Sequence, residues 1–173
     1  ENKTDQVVKE LNEKAWREGD DQLVYLFDYG IATHINHQYQ ESNKALLLAD
    51  QLSEVKDYQS LSRITGSLLL NEGMVQYKGD DYEKVLVNAF LAMNYLMLHQ
   101  HDEALVETRK INQKLDHYRF EAKKDYEQNP FAHYLAAMIW ESDERWDDAY
   151  IDYKKSYDLI PSFSYLSEDL IRL

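Results

Sequence analysis

Cysteine is absent from the chain, which excludes a disulfide framework, cysteine-ligated zinc and thiol catalysis. Only two prolines and five glycines interrupt its 173 residues. Basic residues are scarce, since 19 Lys and Arg stand against 32 Asp and Glu for a net charge of −13. Such a chain lacks the positive surface that nucleic acids and anionic membranes attract. We therefore expect neither a nucleic-acid partner nor an acidic membrane as partner.

Long apolar segments are also missing. The longest candidate, residues 89–98, is interrupted by Asn94 and is much shorter than the ~18 apolar residues of a membrane-spanning helix. The first residues contain neither the basic nor the apolar region of a signal peptide. We expect no direct insertion of residues 1–173 into a membrane.

The apolar residues recur at helical spacing along most of the chain. Strand signals, which are alternating β-branched runs joined by Asn-Gly or Asp-Gly turns, do not occur. The pattern predicts a single all-α domain of about eight or nine antiparallel helices. They are expected at about 4–17, 21–39, 42–57, 58–71, 82–99, 102–127, 130–142, 145–159 and 163–172, with one irregular loop at 71–81.

Three helix pairs share a pattern of small and aromatic residues. The gap from Tyr95 to Ala104 equals the gap from Trp140 to Ala149, and a small residue in each helix allows close approach. The aligned residues are Ala32, Thr33 and Ala45 in the first pair, Leu91, Ala92, Tyr95 and Ala104 in the second, and Ala136, Ala137, Trp140 and Ala149 in the third.

This spacing resembles the tetratricopeptide repeat (TPR), in which small and aromatic residues recur in two helices and a proline follows. The match is good over 131–161, fair over 85–116 and weak over 27–52. The aligned alanines are farther apart than the 34-residue repeat allows, so we expect insertions at about 58–81 and 113–129. The resemblance implies a right-handed, TPR-like stack of antiparallel helix pairs with non-TPR insertions.

Five longer blocks carry a second resemblance, and they are residues 26–30, 39–43, 77–88, 102–109 and 147–150. In order and spacing they resemble a poorly characterised family of bacterial envelope lipoproteins with TPR-like helices. The resemblance implies an envelope location on the periplasmic side, a signal peptide and lipidated cysteine upstream of Glu1, and a further C-terminal region. A cytoplasmic location is the open alternative. The family implies no activity and no site residue.

Metal and cofactor sites are not expected. His99 and His101 are two residues apart and point to different faces of a helix, which favours an ordinary turn. His34 and His37 are more typical of a polar groove than of a metal site. The acidic run 141–148 lacks the spacing of a calcium loop.

Catalytic motifs are absent as well. No Gly-Lys-Ser/Thr loop, Gly-x-Ser-x-Gly elbow or His-Glu-x-x-His helix occurs. Asp80 and Asp81 would place negative charge where a phosphate would bind. Nothing singles out a catalytic pair among the 32 acidic residues. The sequence therefore predicts a protein that is not an enzyme.

A set of apolar side chains on the first helices of the pairs predicts a binding groove. Methionine adapts to varied partners, although core packing explains the same pattern equally well. The predicted groove residues are Leu86, Met93, Met97, Phe131, Tyr134 and Met138, with Asn88, Asn94 and His37 holding the ligand's backbone groups.

The function predicted from these observations is a non-catalytic scaffold that binds a protein or peptide. Because the chain is acidic, we expect a neutral or basic partner. Two alternatives stay open: a small-ligand or enzymatic domain with a site near 71–81, and a structural module for a further C-terminal region. A deep closed pocket would favour the first alternative, whereas an open groove would favour the scaffold.

Overall fold

The chain is all-α in the computed structural model, as expected from the helical period. The structure describes residues 3–66, 77–120 and 129–173, without the side chains of residues 55–66 and 119, and no strand occurs in these ranges. The helices are α1 (Lys3–Trp16), α2 (Gln22–Ile35), α3 (Tyr39–Gly66), α4 (Asp81–Met97), α5 (His101–Phe120), α6 (Pro130–Ser142), α7 (Trp146–Leu159) and α8 (Ser164–Arg172).

The helices form two compact units, Glu1–Val87 and Asn88–Leu173. In the first unit, α2 packs against both α1 and α3. In the second unit, α6 packs against both α5 and α7, and α8 packs against α7. Helices α6 and α7 therefore each have two neighbouring helices.

Two helices differ from the sequence prediction. Helix α3 is continuous over Tyr39–Gly66 where two helices were expected, because no proline or glycine interrupts it before its last residue. Helix α2 ends at Ile35 rather than near residue 39, because a turn follows directly. The rest of the predicted helices 58–71 and 102–127, and residues 71–76 of the predicted loop, lie outside the described residues.

The same turn joins the two helices of three hairpins, α2–α3, α4–α5 and α6–α7. Each turn contains one residue with left-handed backbone, and these are His37 (φ 59°), His99 (φ 57°) and Glu144 (φ 58°). The next N–H then reaches back to a carbonyl of the last helical turn, which is a common way of ending a helix. These bonds join Gln38 to Thr33 at 2.8 Å, Gln100 to Tyr95 at 2.9 Å, and Arg145 to Trp140 at 2.9 Å.

The common turn gives the three hairpins one register, which brings small residues together where the helices cross. The facing pairs are Gly30 with Ser42, Ala92 with Ala104, and Ala137 with Ala149. In the first hairpin, the Ser42 hydroxyl donates to the Gly30 carbonyl at 2.7 Å. The prediction aligned Ala45 with Ala104 and Ala149 and is wrong there. Ser42 is the equivalent residue, because its N–H donates to Gln38 as those of Ala104 and Ala149 donate to Gln100 and Arg145.

The core of the second unit contains two neighbouring clusters. Helices α4, α5 and α6 contribute Ala92, Ala104, Leu105, Leu135 and Ile139 to one of them. Helices α6, α7 and α8 contribute Ala137, Ala149, Tyr153 and Leu166 to the other. Helix α6 contributes to both clusters and is therefore covered on two sides, which leaves its remaining face uncovered by them.

Candidate partner-binding surface

Helix α6 begins at residues that suit a helix start. The Asn129 side chain accepts a hydrogen bond from the N–H of Phe131 at 2.9 Å, and Pro130 occupies the first helical position, where its missing N–H is harmless. Phe131 and Met138 are two helical turns apart and lie on the same face of α6. The local sequence therefore places both side chains on one line along the helix, two turns apart.

The outward face of α6 is uncharged and mostly apolar. Phe131 is 43% exposed and Met138 is 39% exposed, and Ser142 is the other exposed residue of the helix. Helix α7 differs, because its exposed residues alternate between apolar and charged, as on an ordinary solvated surface. They are Trp146, Asp147, Tyr150, Ile151, Lys154, Lys155, Asp158 and Leu159.

Helix α4 has a similar face over residues 88–97, which belong to the second unit. Met93 follows Ala92 as Met138 follows Ala137, so the two methionines occupy equivalent positions. Met93 is half-buried against the core cluster, and Met97 is 55% exposed. Leu86, the equivalent of Phe131, is 47% exposed and belongs to the first unit.

A bridge between two turns shows that α4 and α6 end at the same edge of the second unit. His101 lies in the first turn of α5, and its Nδ1 is 3.0 Å from Asp143 Oδ1. Its Nε2 is 3.0 Å from the hydroxyl of Ser142. The ends of α4 and α6 are therefore neighbours, and Met97 lies at this edge.

Tyr134 was predicted to line the groove but serves mainly to hold α8. Its ring packs edge-to-face against Tyr153 and Phe163, at centroid distances of 5.5 and 5.8 Å. Its hydroxyl donates to Asp169 Oδ2 at 3.1 Å. Burial raises the pKa of Tyr134, and the Asp169 carboxylate raises it further. Its replacement would disturb the fold as well as any binding.

The three polar groove residues are not on this surface, which corrects the prediction. Asn88 and Asn94 are both 0% exposed. Fully buried amides of this kind cannot reach the backbone of a ligand on an open face. His37 lies in the α2–α3 turn of the first unit, where its Nδ1 is 2.8 Å from the Tyr39 hydroxyl.

Asn88 instead belongs to a buried polar pair between α4 and α5. Its Nδ2 donates to Glu107 Oε2 at 2.7 Å, and Glu107 also pairs with Lys110 at 2.9 Å. Asn88 Oδ1 is buried without a hydrogen-bond partner among the described residues. Buried polar atoms are normally paired. The role of the Asn88 amide is therefore to donate a hydrogen bond to the buried Glu107 carboxylate.

The next hairpin repeats this arrangement in the same register. His133 Nδ1 lies 3.1 Å from Asp152 Oδ1, and Lys155 pairs with the same oxygen at 3.3 Å. The first hairpin has the apolar residues Leu26 and Ala45 at these positions, both fully buried. The two polar pairs were not predicted, although a polar residue stands four positions before the small residue in both hairpins, Asn88 before Ala92 and His133 before Ala137.

Replacing Asp152 with asparagine should destabilise the second unit in a pH-dependent way. Burial alone would raise the pKa of Asp152, but hydrogen bonds from His133, Lys155 and Trp140 together hold it below its usual 3.8. A lowered pKa means that the carboxylate contributes stability above about pH 4 and loses this contribution as acidification protonates it. Denaturant unfolding should show a large wild-type advantage at neutral pH that shrinks below pH 4. An advantage that does not change with pH would contradict this assignment.

The segment near 71–81 was the alternative candidate for a ligand site. In its described part, the N–H of Asp80 donates to Glu83 Oε2 at 2.7 Å, and the Tyr77 hydroxyl donates to the same oxygen. The bond between Asp80 and Glu83 resembles half of a capping box at the start of a helix. These contacts form the start of α4, while residues 71–76 lie outside the described residues.

Metal centres and small-molecule pockets are the remaining kinds of candidate site. No group of three or more His, Asp or Glu residues in the described ranges could hold a metal ion. An open depression of about 260 Å³ is lined by Glu144–Asp148. These five consecutive residues belong to one turn and the start of α7, and they do not form the enclosed, largely apolar cleft that is typical of small-molecule sites.

Comparison with models of known protein families found no match, and comparison with curated proteins found none either. Within the described ranges, no helix combines the length and apolarity needed to cross a bilayer. The candidate partner-binding surface is the one formed by α6 and residues 88–97 of α4, which we call the methionine face.

Proposed function

We propose that the chain is a non-catalytic scaffold that binds a protein or peptide on the methionine face. The observation that carries the proposal is the exposure of Met97, Phe131 and Met138 on helix surfaces without exposed charge. Exposed apolar patches on soluble proteins commonly mark interaction sites. Methionine and phenylalanine suit such a site, because methionine adapts its shape and aromatic rings bury a large area.

We further propose that the three hairpins form a right-handed, TPR-like stack with non-TPR insertions. Support comes from their common turn and from the small-residue pairs at each helix crossing, as in Ala92 with Ala104. In such a stack the first helices of the hairpins line an inner groove, and α4 and α6 are first helices. The proposed groove and the methionine face are then the same surface.

The proposed location is the bacterial cell envelope, with a lipid anchor attached upstream of Glu1. The sequence blocks that resemble envelope lipoproteins support this part of the proposal. The net charge of −13 supports a neutral or basic partner.

Two matched pairs of variants test the binding face. Met97→Glu and Met138→Glu place charge on the methionine face. The controls Val106→Glu and Ile151→Glu place it on α5 and α7, at two positions that match each other in the common register and are about as exposed as the two methionines. A partner is captured from envelope extract with the full-length protein, purified, and titrated against each variant after circular dichroism has confirmed folding. We expect the methionine variants to bind about tenfold or more weakly, which corresponds to ~1.4 kcal/mol.

The control pair should bind like the wild type. Equal losses in both pairs would mean that a new charge weakens binding wherever it is placed, and the proposal would fail. Normal binding by Met97→Glu and Met138→Glu would also remove the methionine face as the site.

A further inference from the structure

The charges on and around the methionine face indicate which part of a partner it can hold, given the proposed function. Residues 88–97 and α6 contain no Lys or Arg. Their one acidic residue, Glu141, accepts hydrogen bonds from the Tyr153 hydroxyl at 2.8 Å and from Arg172 at 3.0 Å. The face therefore offers no cation to a peptide's terminal carboxylate. It suits an internal segment with uncharged, apolar side chains.

The edge at which α4 and α6 end is strongly acidic. Exposed carboxylates there belong to residues of the two turns that His101 joins and of the helix starts that follow them. They are Asp102, Glu103, Asp143, Glu144 and Asp147, and Asp143 is the one that contacts His101.

The cation within this edge is already engaged. The Arg145 guanidinium lies 4.1 Å from the centre of the Trp140 ring and pairs with Asp148 at 2.6 Å. The acidic edge consequently remains negative, and a basic group of a partner would find complementary charge there.

We infer that the partner presents an amphipathic peptide segment with an apolar face and basic residues clustered at one end. Its apolar side chains cover Met97, Met138 and Phe131, and its basic end lies over the acidic edge. Met97 lies at that edge, whereas Phe131 is in the first turn of α6, at the opposite end. The charge therefore fixes the direction in which the segment lies.

A second copy of the chain fits this surface poorly. Each copy has a net charge of −13, so the long-range force between two copies is repulsive. The methionine face has no basic residue with which to offset that repulsion against the acidic edge of the other copy. The observations therefore favour a basic segment of a different protein.

Selection from a phage-displayed library of random peptides tests this inference with a defined probe. Selected peptides should combine apolar residues with Lys or Arg clustered at one end. Synthetic versions should bind equally well with an amidated or a free carboxyl terminus. A requirement for the free carboxylate, or selection of acidic or uncharged peptides, would overturn the inference.

Charge-neutral variants locate the basic end. The combined variant Asp102→Asn, Glu103→Gln, Glu144→Gln and Asp147→Asn should weaken the selected peptide about tenfold and reduce the salt dependence of its association rate. Neutralising Asp116 and Asp158, which are exposed near the opposite ends of α5 and α7, should change affinity little. Equal effects of the two sets would contradict the assigned direction.

The failure of this inference can be told apart from failure of the proposed function. Peptides that lose binding in Met97→Glu and Met138→Glu but do not respond to the four charge-neutral substitutions overturn only the inference. If selection gives no peptide that depends on Met97 and Met138, both proposals fail.

Discussion

Replacing Asn88 with leucine is expected to destabilise the second unit by about 2–3 kcal/mol, because it removes a hydrogen bond to a buried carboxylate. The Glu107 side chain is only 5% exposed and would keep Lys110 as its remaining partner. Unfolding in denaturant, followed by circular dichroism, measures the change. A loss below about 1 kcal/mol would show that the Asn88–Glu107 bond is not needed to hold this charge.

The double variant Asn88→Leu, Glu107→Ala should recover most of that loss. It reproduces Leu26 and Ala45, which fill the same two positions in the first hairpin and are fully buried. It also removes Asn88 Oδ1, the buried acceptor without a partner among the described residues. Replacing both members of a buried polar pair by apolar residues is often nearly neutral. If the double variant loses as much free energy of unfolding as Asn88→Leu and Glu107→Ala do in sum, the Asn88–Glu107 pair is not equivalent to Leu26 and Ala45, and the common register is wrong.

Replacing Gly30 with valine should destabilise the first unit by about 3 kcal/mol through overpacking. A Cβ atom at Gly30 would lie 2.5 Å from Leu46 Cδ2 and 2.6 Å from its Cγ. Leu46 is buried in the hairpin crossing and has little room to move. Thermal or denaturant unfolding of the full chain gives the change.

Gly19→Val is the matched control, because nothing lies within 4 Å of a Cβ at Gly19. It should change the free energy of unfolding by less than about 1 kcal/mol. Similar losses at both glycines would mean that the Gly30–Ser42 crossing is looser than described.

The helical period predicted the helices best where caps and breakers agree with it. The expected helix at 130–142 coincides with α6, because Asn129 and Pro130 mark its start. The expected break near residue 57 was wrong, because it rested on the apolar pattern alone and no breaker stands there. The end of α2 was missed since His37 adopts left-handed backbone without the glycine that usually signals it.

The candidate site was only partly predictable for a different reason. Exposure depends on which distant segment covers a helix face, and periodicity cannot identify that segment. Met138 and Tyr134 both looked like groove residues, but Phe163, just before α8, and Asp169 of α8 contact Tyr134, whereas Met138 stays exposed. Asn88 looked like a ligand contact because Glu107, its actual partner, is 19 positions away in the sequence.

Methionine-methyl NMR is the most direct test of the methionine face as a binding site, since the chain has four methionines. In the free protein, a soluble paramagnetic probe should broaden the methyl signals of Met97 and Met138 strongly and that of Met93 less. A saturating selected peptide should shift these three signals and protect Met97 and Met138 from the probe. If Met97 and Met138 stay as exposed in the complex as in the free protein, the partner binds elsewhere and the account is wrong.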